Sequence, residues 1–196
     1  MIAGDDITLM SPQTHRNVTI IPVMTPPSYK FDILTLKKGF ELGLVEVKEC
    51  EHSTVNTLIV KNSSVTPLIL VDGEEIIGGD QNRIVNGTIL IAPESEKPIP
   101  VNCTEHGRWG YKHEFVQSNY MANYRTRSSK EVASRNNMND QQAVWDSIEC
   151  LEAERSFSSP TQAMSESYDN AKVDLDEALT HFKIEDGQNG LVIIVD

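Results

Sequence analysis

The sequence predicts an α+β domain. An antiparallel, β-sandwich-like sheet block spans residues about 17–105, two helices follow at about 140–155 and 160–182, and a final strand closes the chain. Three observations predict it. Short runs rich in Val, Ile and Leu, bounded by turn residues, recur through the first half. Asp72-Gly73 and Asn86-Gly87 separate such runs, and these dipeptides favour hairpins over βαβ crossovers. Apolar residues at helical spacing appear only in the last third.

Taken in order, Asn17–Val23 (NVTIIPV) is a β-branched strand that Pro22 marks as an edge or a terminus. Asp32–Phe40 reads as a short helix capped by Asp32 and ending near Gly39 or Gly43. Leu44–Val47, Asn56–Val60 and Leu68–Val71 are strands. The Asp-Gly pair then joins Leu68–Val71 to Glu74–Ile77, and the Asn-Gly pair joins Ile84-Val85 to Thr88–Ile91, both as hairpins. Ile99–Thr104 is an edge strand, flagged by Pro98 and Pro100. Residues 109–124 hold five of the twelve aromatics without a clean period, and 125–138 read as a polar loop.

The first helix has Asn139 as its cap and Val144, Ile148 and Leu151 along one face. The second opens on Ser159-Pro160-Thr161-Gln162, a capping box with proline at the first helical position. Met164, Tyr168, Ala171, Leu175, Leu179 and Phe182 then repeat at three- and four-residue steps. Leu191–Val195 is a buried strand at the end of the chain, an ending that also fits a chain cut short. No repeat and no linker divides the sequence, so residues 1–196 are expected to form one domain: a β-rich part over 1–110, then an aromatic, basic and helical part over 111–196.

Charge narrows the partners. With 17 Lys+Arg against 29 Asp+Glu the net charge is −12, which excludes a general binder of nucleic acid or of anionic membranes. The excess is local. Residues 136–196 carry 3 basic and 13 acidic side chains, whereas 106–135 carry 6 and 2, leaving a basic strip beside the aromatics that admits a small anionic ligand. Three cysteines, no secretory leader and no long apolar run lead to the expectation of a soluble, cytoplasmic protein.

Chemistry-bearing residues gather in two stretches. Gly73–Asn86 (GEEIIGGDQNRIVN) places Glu74 and Glu75 before Gly78-Gly79 and then Gln81-Asn82-Arg83. Paired glycines suit a bulge or a close approach of backbone to a ligand, and the polar triplet offers donors and acceptors for hydroxyls plus a planar cation for anions. The same residues also suit a polar turn with a structural Arg–Glu pair. In Pro100–Trp109 (PVNCTEHGRW), an extended backbone puts Ile99, Val101, Cys103 and Glu105 on one face. Glu105 at the mouth of an apolar face is a candidate acid or base with Arg83 or Arg108 as partner, or half of a structural ion pair.

Cys103 reads as an inert buried thiol, since no His–Asn/Asp pair accompanies it. Cys103, Glu105, His106, His113 and Glu114 lack the spacing of a metal motif, so no metal and no cofactor is expected there. His15, His52 and His181 read as surface residues. Arg125, Arg127, Lys130 and Arg135 make a solvated basic loop or a grip for a nucleotide.

Five segments, LTLKKGFELG with LVEVKE, VNTLIVKN, LILVDGEEIIGGDQNRIVNGTILIAP and IPVNCTEHGRW, follow one another in order over some eighty residues. In that order and spacing they resemble the ADP-ribosylglycohydrolase- and rhodanese-phosphatase-associated protein family (ARPP family). The QNR and C-x-E-x-G-R-W elements are the most specific. The resemblance implies a nearly all-β or α+β domain and points to ADP-ribose or NAD metabolism. On that basis the expected partner is a small anionic, nucleotide-like ligand. Arg83 and Arg108 would hold its phosphates, Gln81 and Asn82 its ribose hydroxyls, and Trp109 a ring face. Glu105 with Glu74 or Glu75 would be the catalytic carboxylates, by analogy with glycosidases. The alternative is a non-catalytic binding or assembly module in which these polar residues are structural.

Overall fold

The computed structural model describes residues 7–26, 32–50 and 56–196; His52 lies outside the described residues. The α+β, mainly antiparallel architecture is as the sequence predicts, with the final strand in place. Two compact units divide the chain: Met1–Phe31 with Ala171–Asp196, and Asp32–Asn170.

The first unit begins with strands β1 (Thr8–Leu9), β2 (Gln13–His15) and β3 (Val18–Met24). Here β3 is central and not the expected edge, because β1 and β2 pair with its two halves and the last strand of the chain pairs along its length. Pro22 fits because its carbonyl, which accepts from Met10 N at 2.9 Å, faces the gap between the β2 and β1 ladders. Its nitrogen, which has no hydrogen, faces that gap too.

The second unit holds two sheets. Strand β4 (Leu34–Thr35) leads into helix α1 (Leu36–Glu41), and Thr35, not Asp32, caps it by accepting from Lys38 N. The extended pair Leu34-Thr35 is taken up by parallel pairing before the helix can start. Strands β5 (Val45–Glu49), β6 (Thr57–Asn62), β7 (Leu68–Leu70), β8 (Glu74–Ile77), β9 (Arg83–Val85), β10 (Ile89–Ile91), β11 (Ser95–Cys103) and β12 (Val116–Met121) follow. They sort into a three-stranded sheet, β10-β7-β4, and a six-stranded sheet, β12-β8-β9-β11-β6-β5. Period-2 alternation builds the core: Val45, Val47, Leu58 and Val60 point inward from the large sheet and Leu68, Leu70 and Ile91 from the small one, in a single cluster.

Both expected hairpins are corrected. β7 pairs with β10, and β8 pairs with β9 and β12, so each Xaa-Gly turn carries the chain from one sheet to the other. The turn chemistry is as expected, with Gly73 and Gly87 both at φ +85°. What it does not specify is the partner strand. The two corners brace one another: Gly73 N donates to Val85 O at 2.9 Å and Gly87 N to Asp72 Oδ1 at 2.7 Å.

β11 is likewise interior and not an edge. Residues 95–100 pair with β6 and 101–103 with β9, so each half has one neighbour, and both prolines lie in the first half. Beyond it the ladder continues on a side chain. Cys103 N donates to Gln141 Oε1 at 2.7 Å and Gln141 Nε2 to Cys103 O at 2.9 Å.

The loop expected at 125–138 is instead helix α2 (Tyr124–Arg135), capped by Asn123, whose Oδ1 accepts from Thr126 N at 2.8 Å. Its buried residues are Thr126, Lys130 and Ala133, a helical spacing whose polar composition conceals the face. Lys130 is buried because its Nζ lies 2.5 Å from Asp72 at the sheet corner. Burial opposes ionisation of Asp72, but Lys130, Gly87 N–H and Arg127 outweigh it and hold the carboxyl below its ordinary range. Lys130→Met is therefore expected to cost about 2–3 kcal/mol in urea unfolding, less than a fully buried pair because Asp72 keeps some solvent. Adding Asp72→Asn should recover part of that loss.

Helix α3 (Asp140–Glu154) has the expected Asn139 cap and the buried face Val144, Ile148 and Leu151. The expected continuous helix at 160–182 is broken into α4 (Met164–Asn170) and α5 (Lys172–Leu179). Gln162 sits at φ +52° and Ala163 bridges to Glu105 in extended form, so pairing with β11's continuation delays the helix until Met164. Strand β13 (Gly190–Val195) pairs with β3, but its apolar residues are exposed and not buried as expected.

Candidate functional site

The loop between β8 and β9 is shaped by its glycines. A Cβ on Gly79 (φ +51°) would lie 2.2 Å from Phe115 Cζ, and one on Gly78 (φ +123°) 2.6 Å from Glu114 O. The close approach expected at this pair is made by the chain's own segment before β12. Asn82 Oδ1 accepts from Gly78 N at 3.1 Å and closes the loop.

Arg108 is the hub of the site. Its Nη1 donates to Gly79 O (2.7 Å) and Gly110 O (2.8 Å). Its Nη2 reaches Gly78 O (3.2 Å), Asn82 Oδ1 (3.2 Å) and Glu105 Oε2 (2.7 Å). Glu105 also accepts from Thr161 Oγ1 at 3.0 Å and from Asn82 N at 3.4 Å. Burial opposes ionisation of Glu105, but Arg108, Thr161 and the Asn82 N–H outweigh it and hold its carboxyl below the ordinary range. Gln81 donates through Nε2 to Glu105 O (3.0 Å) and accepts from Arg83 Nη1 (3.3 Å) and Cys103 Sγ (3.0 Å). Arg83, also buried, has Glu49 at 3.7 Å. Burial raises the Cys103 thiol above its usual pKa, in keeping with an inert role.

Glu75 lies on the same side, wholly buried. Thr104 Oγ1 donates to its Oε1 at 2.9 Å, while Oε2 has no partner of hydrogen-bonding geometry among the described residues. Burial pushes its pKa up to about 7, helped by the charges of Glu105 and Asp169 and opposed by the nearby hydroxyls of Ser118 and Thr104. An open cleft of about 260 Å³ lies before Glu105, lined also by Asn82, Lys112, Ser118, Tyr120, Ser165, Glu166 and Asp169 among others. Strand β12 and helix α4 form its walls, joined by Tyr120 Oη donating to Asp169 Oδ1 at 2.6 Å. Ser118, Lys112, Glu166 and Asp169 carry no motif signal in the sequence. They reach the cleft by tertiary packing alone.

The residues singled out from sequence thus divide. Gln81, Asn82, Arg83, Glu105 and Arg108 form one connected cluster, which Glu75 joins only through Thr104, whose hydroxyl donates to Glu75 and whose N–H donates to Asn82 O. Glu74, adjacent to Glu75 on an alternating strand, points elsewhere and accepts from Val71 N at 2.8 Å. Trp109 is 66% exposed at the rim of the loop and neither core nor part of the network. His106 packs on Trp145 (ring centroids 4.1 Å, tilted by 39°) and bonds Gln162, while His113 Nδ1 lies 2.6 Å from Glu114 O. Cys103, Glu105, His106 and His113 are thus turned to separate partners. A larger, more apolar hollow of about 450 Å³, lined by Phe40, Val47, Glu49, Tyr111 and Phe115 among others, touches the network only at Glu49 and Gly79. Glu105 lines the smaller cleft, and Glu75, fully buried, adjoins it at Ser118, so that is the better candidate.

Among the described residues no helix is long and apolar enough to cross a membrane. No curated protein and no solved structure matches the chain. The model of the ARG and Rhodanese-Phosphatase-superfamily-associated Protein domain, ARPP-1, matches residues 6–196, and this chain, with its QNR loop and its Glu105–Arg108 hub, belongs to that family.

Proposed function

We propose that the domain takes the ribosyl end of an ADP-ribose- or NAD-derived nucleotide in the cleft between β12 and α4 and cleaves its glycosidic bond. The observation that carries this reading is the pair of carboxylates pushed in opposite directions, Glu105 below its ordinary range and Glu75 up to about 7. Such divergence is what separates an acid from a fixed anion at one site. Glu105, ionised and clamped by Arg108, is a poor base but a well-placed negative charge for a cationic sugar. Glu75, half-protonated near neutrality, reaches the cleft through Ser118. Its proton passes by that hydroxyl to the leaving atom as the C1′ bond breaks, and water adding at C1′ returns a proton to Glu75.

Glu105, Glu166 and Asp169 outnumber Lys112 around the cleft, which disfavours a diphosphate inside it. The phosphates would lie at the rim on the Lys112 side. Arg83 and Arg108 are engaged by protein acceptors, Arg108 by Glu105 and loop carbonyls and Arg83 by Gln81, Asn82 O and Glu49, and are better suited to bracing the loop than to gripping phosphate. That engagement also favours a second reading, a non-catalytic assembly module whose polar motif is structural.

Incubation with NAD, ADP-ribose and an ADP-ribosylated peptide, following Tm and product together, separates the two. A shift and turnover that Glu75→Gln abolishes support the proposal. Absence of both for all three ligands defeats it and leaves the assembly module.

A further inference from the structure

We propose that His15, Glu177 and His181, in the unit made of the two ends of the chain, form a binding site for a divalent transition-metal cation of the Zn²⁺ type. His15 ends β2. Glu177 lies in α5, and His181 follows four residues later on the same side, just beyond the helix. One ligand atom from each lies within 4.8 Å of the others. Ligands around a tetrahedral Zn²⁺ sit about 3.3–3.5 Å apart, so a contraction of about 1 Å completes the set. Two imidazoles and a carboxylate suit such an ion and leave a fourth position for water.

Three further observations bear on the site. His15 Nε2 is buried and has no hydrogen-bond partner among the described residues, so one ligand atom is already desolvated and unclaimed. The His15 and His181 rings stack at 3.9 Å and 12°, an arrangement that suits neutral imidazoles, the form that binds metal. Coordination needs the two rings to turn out of the stack so that their lone pairs converge. The competing partner of Glu177, Arg16 Nη2 at 3.5 Å, is an exposed ion pair that exchanges at little cost.

The third observation is the thinness of the unit's core. Of its described residues only Pro22 is buried, and α5 buries none. The segment around α5 is held to β2 by polar contacts, chiefly Gln13 Nε2 on Lys183 O (2.9 Å) and Lys183 N on Gln13 Oε1 (2.6 Å). A unit with so little apolar burial is the kind that a metal clamp stabilises most. The inference is independent of the nucleotide cleft.

The test uses the whole chain, stripped with chelator and titrated with Zn²⁺ by calorimetry, with Co²⁺ as a visible-absorption probe. One equivalent is expected to bind, raise Tm and give the strong absorption of tetrahedral Co²⁺. His181→Ala and Glu177→Gln, both at exposed residues and compatible with folding, should each weaken binding about tenfold or more. Arg16→Ala should leave it equal or tighter. No saturable binding below about 100 µM overturns the proposal, as does binding that both ligand variants leave unchanged.

Discussion

Glu75→Gln is expected to stabilise the protein at pH 8, by on the order of 3 kcal/mol at most, and to flatten its stability between pH 4.5 and 7. The expectation rests on a carboxyl whose pKa moves from 4.5 to about 7 on folding, chiefly through burial. Between those values the unfolded chain has released a proton that the folded state still holds. Raising the pH therefore favours unfolding, and the loss levels off above about 7. Glutamine keeps an oxygen to accept from Thr104 and removes the buried charge, while any strain on its amide subtracts from the gain. Urea unfolding of wild type and variant over this pH series is the measurement. A wild type without the slope, or a variant less stable at pH 8, refutes the account of Glu75. A variant that is more stable yet inactive cannot have lost activity by unfolding, which makes it the cleanest probe of the proposed chemistry.

Arg108→Ala should cost about 3–5 kcal/mol, because it leaves Glu105 charged, buried and short of its cation. It also removes the guanidinium donors to the carbonyls of Gly78, Gly79 and Gly110, of which Gly79 keeps Lys112 N–H and Gly110 is exposed. Adding Glu105→Gln to that variant should cost much less than the same change made alone in the wild type, since the two side chains act as one unit. The Glu105 contribution has the opposite pH dependence from that of Glu75. Its carboxyl is held below its ordinary value, so the stability is present above the unfolded pKa of 4.5 and is lost as the pH falls through the lowered one. Chemical denaturation of the single and double variants at pH 7 and at acid pH reads both effects. A loss below about 1 kcal/mol for Arg108→Ala would mean that the guanidinium is free for a ligand after all.

These two residues show how far the motifs reach. QNR and the Glu105–Arg108 stretch were recognisable as two polar stretches that need partners, because polar side chains this close to glycines and apolar strands do not go unpaired, but not as one cluster. Which of the two adjacent carboxylates, Glu74 or Glu75, belongs to it depends on the face β8 turns inward, and continuous apolar flanks do not mark that face. The acidic wall contributed by α4 was hidden for another reason. Gln162 and Ala163 leave helical geometry to pair with the continuation of β11, against a capping sequence that favours a helix from Pro160. Helix α2 was masked by composition: its inward face carries Lys130 and Thr126, and a lysine reads as surface until Asp72 is seen opposite it.

By itself, then, the sequence determined the α+β class, most of the strands, the Asn139 cap and inward face of α3, the family and the two polar stretches. All of these rest on local signals: period, caps and the intrinsic φ range of glycine. Only the tertiary structure decided that both Xaa-Gly turns join different sheets and that β3 and β11 are interior despite their prolines. It also brought His15 beside His181, and it set Glu105 at the cleft and Glu75 buried next to it at Ser118, with opposite pKa shifts. The reason is physical. A turn or a strand forms from its own residues, but its neighbour is chosen by which apolar faces can be buried together. A carboxyl's pKa depends on what that choice places around it.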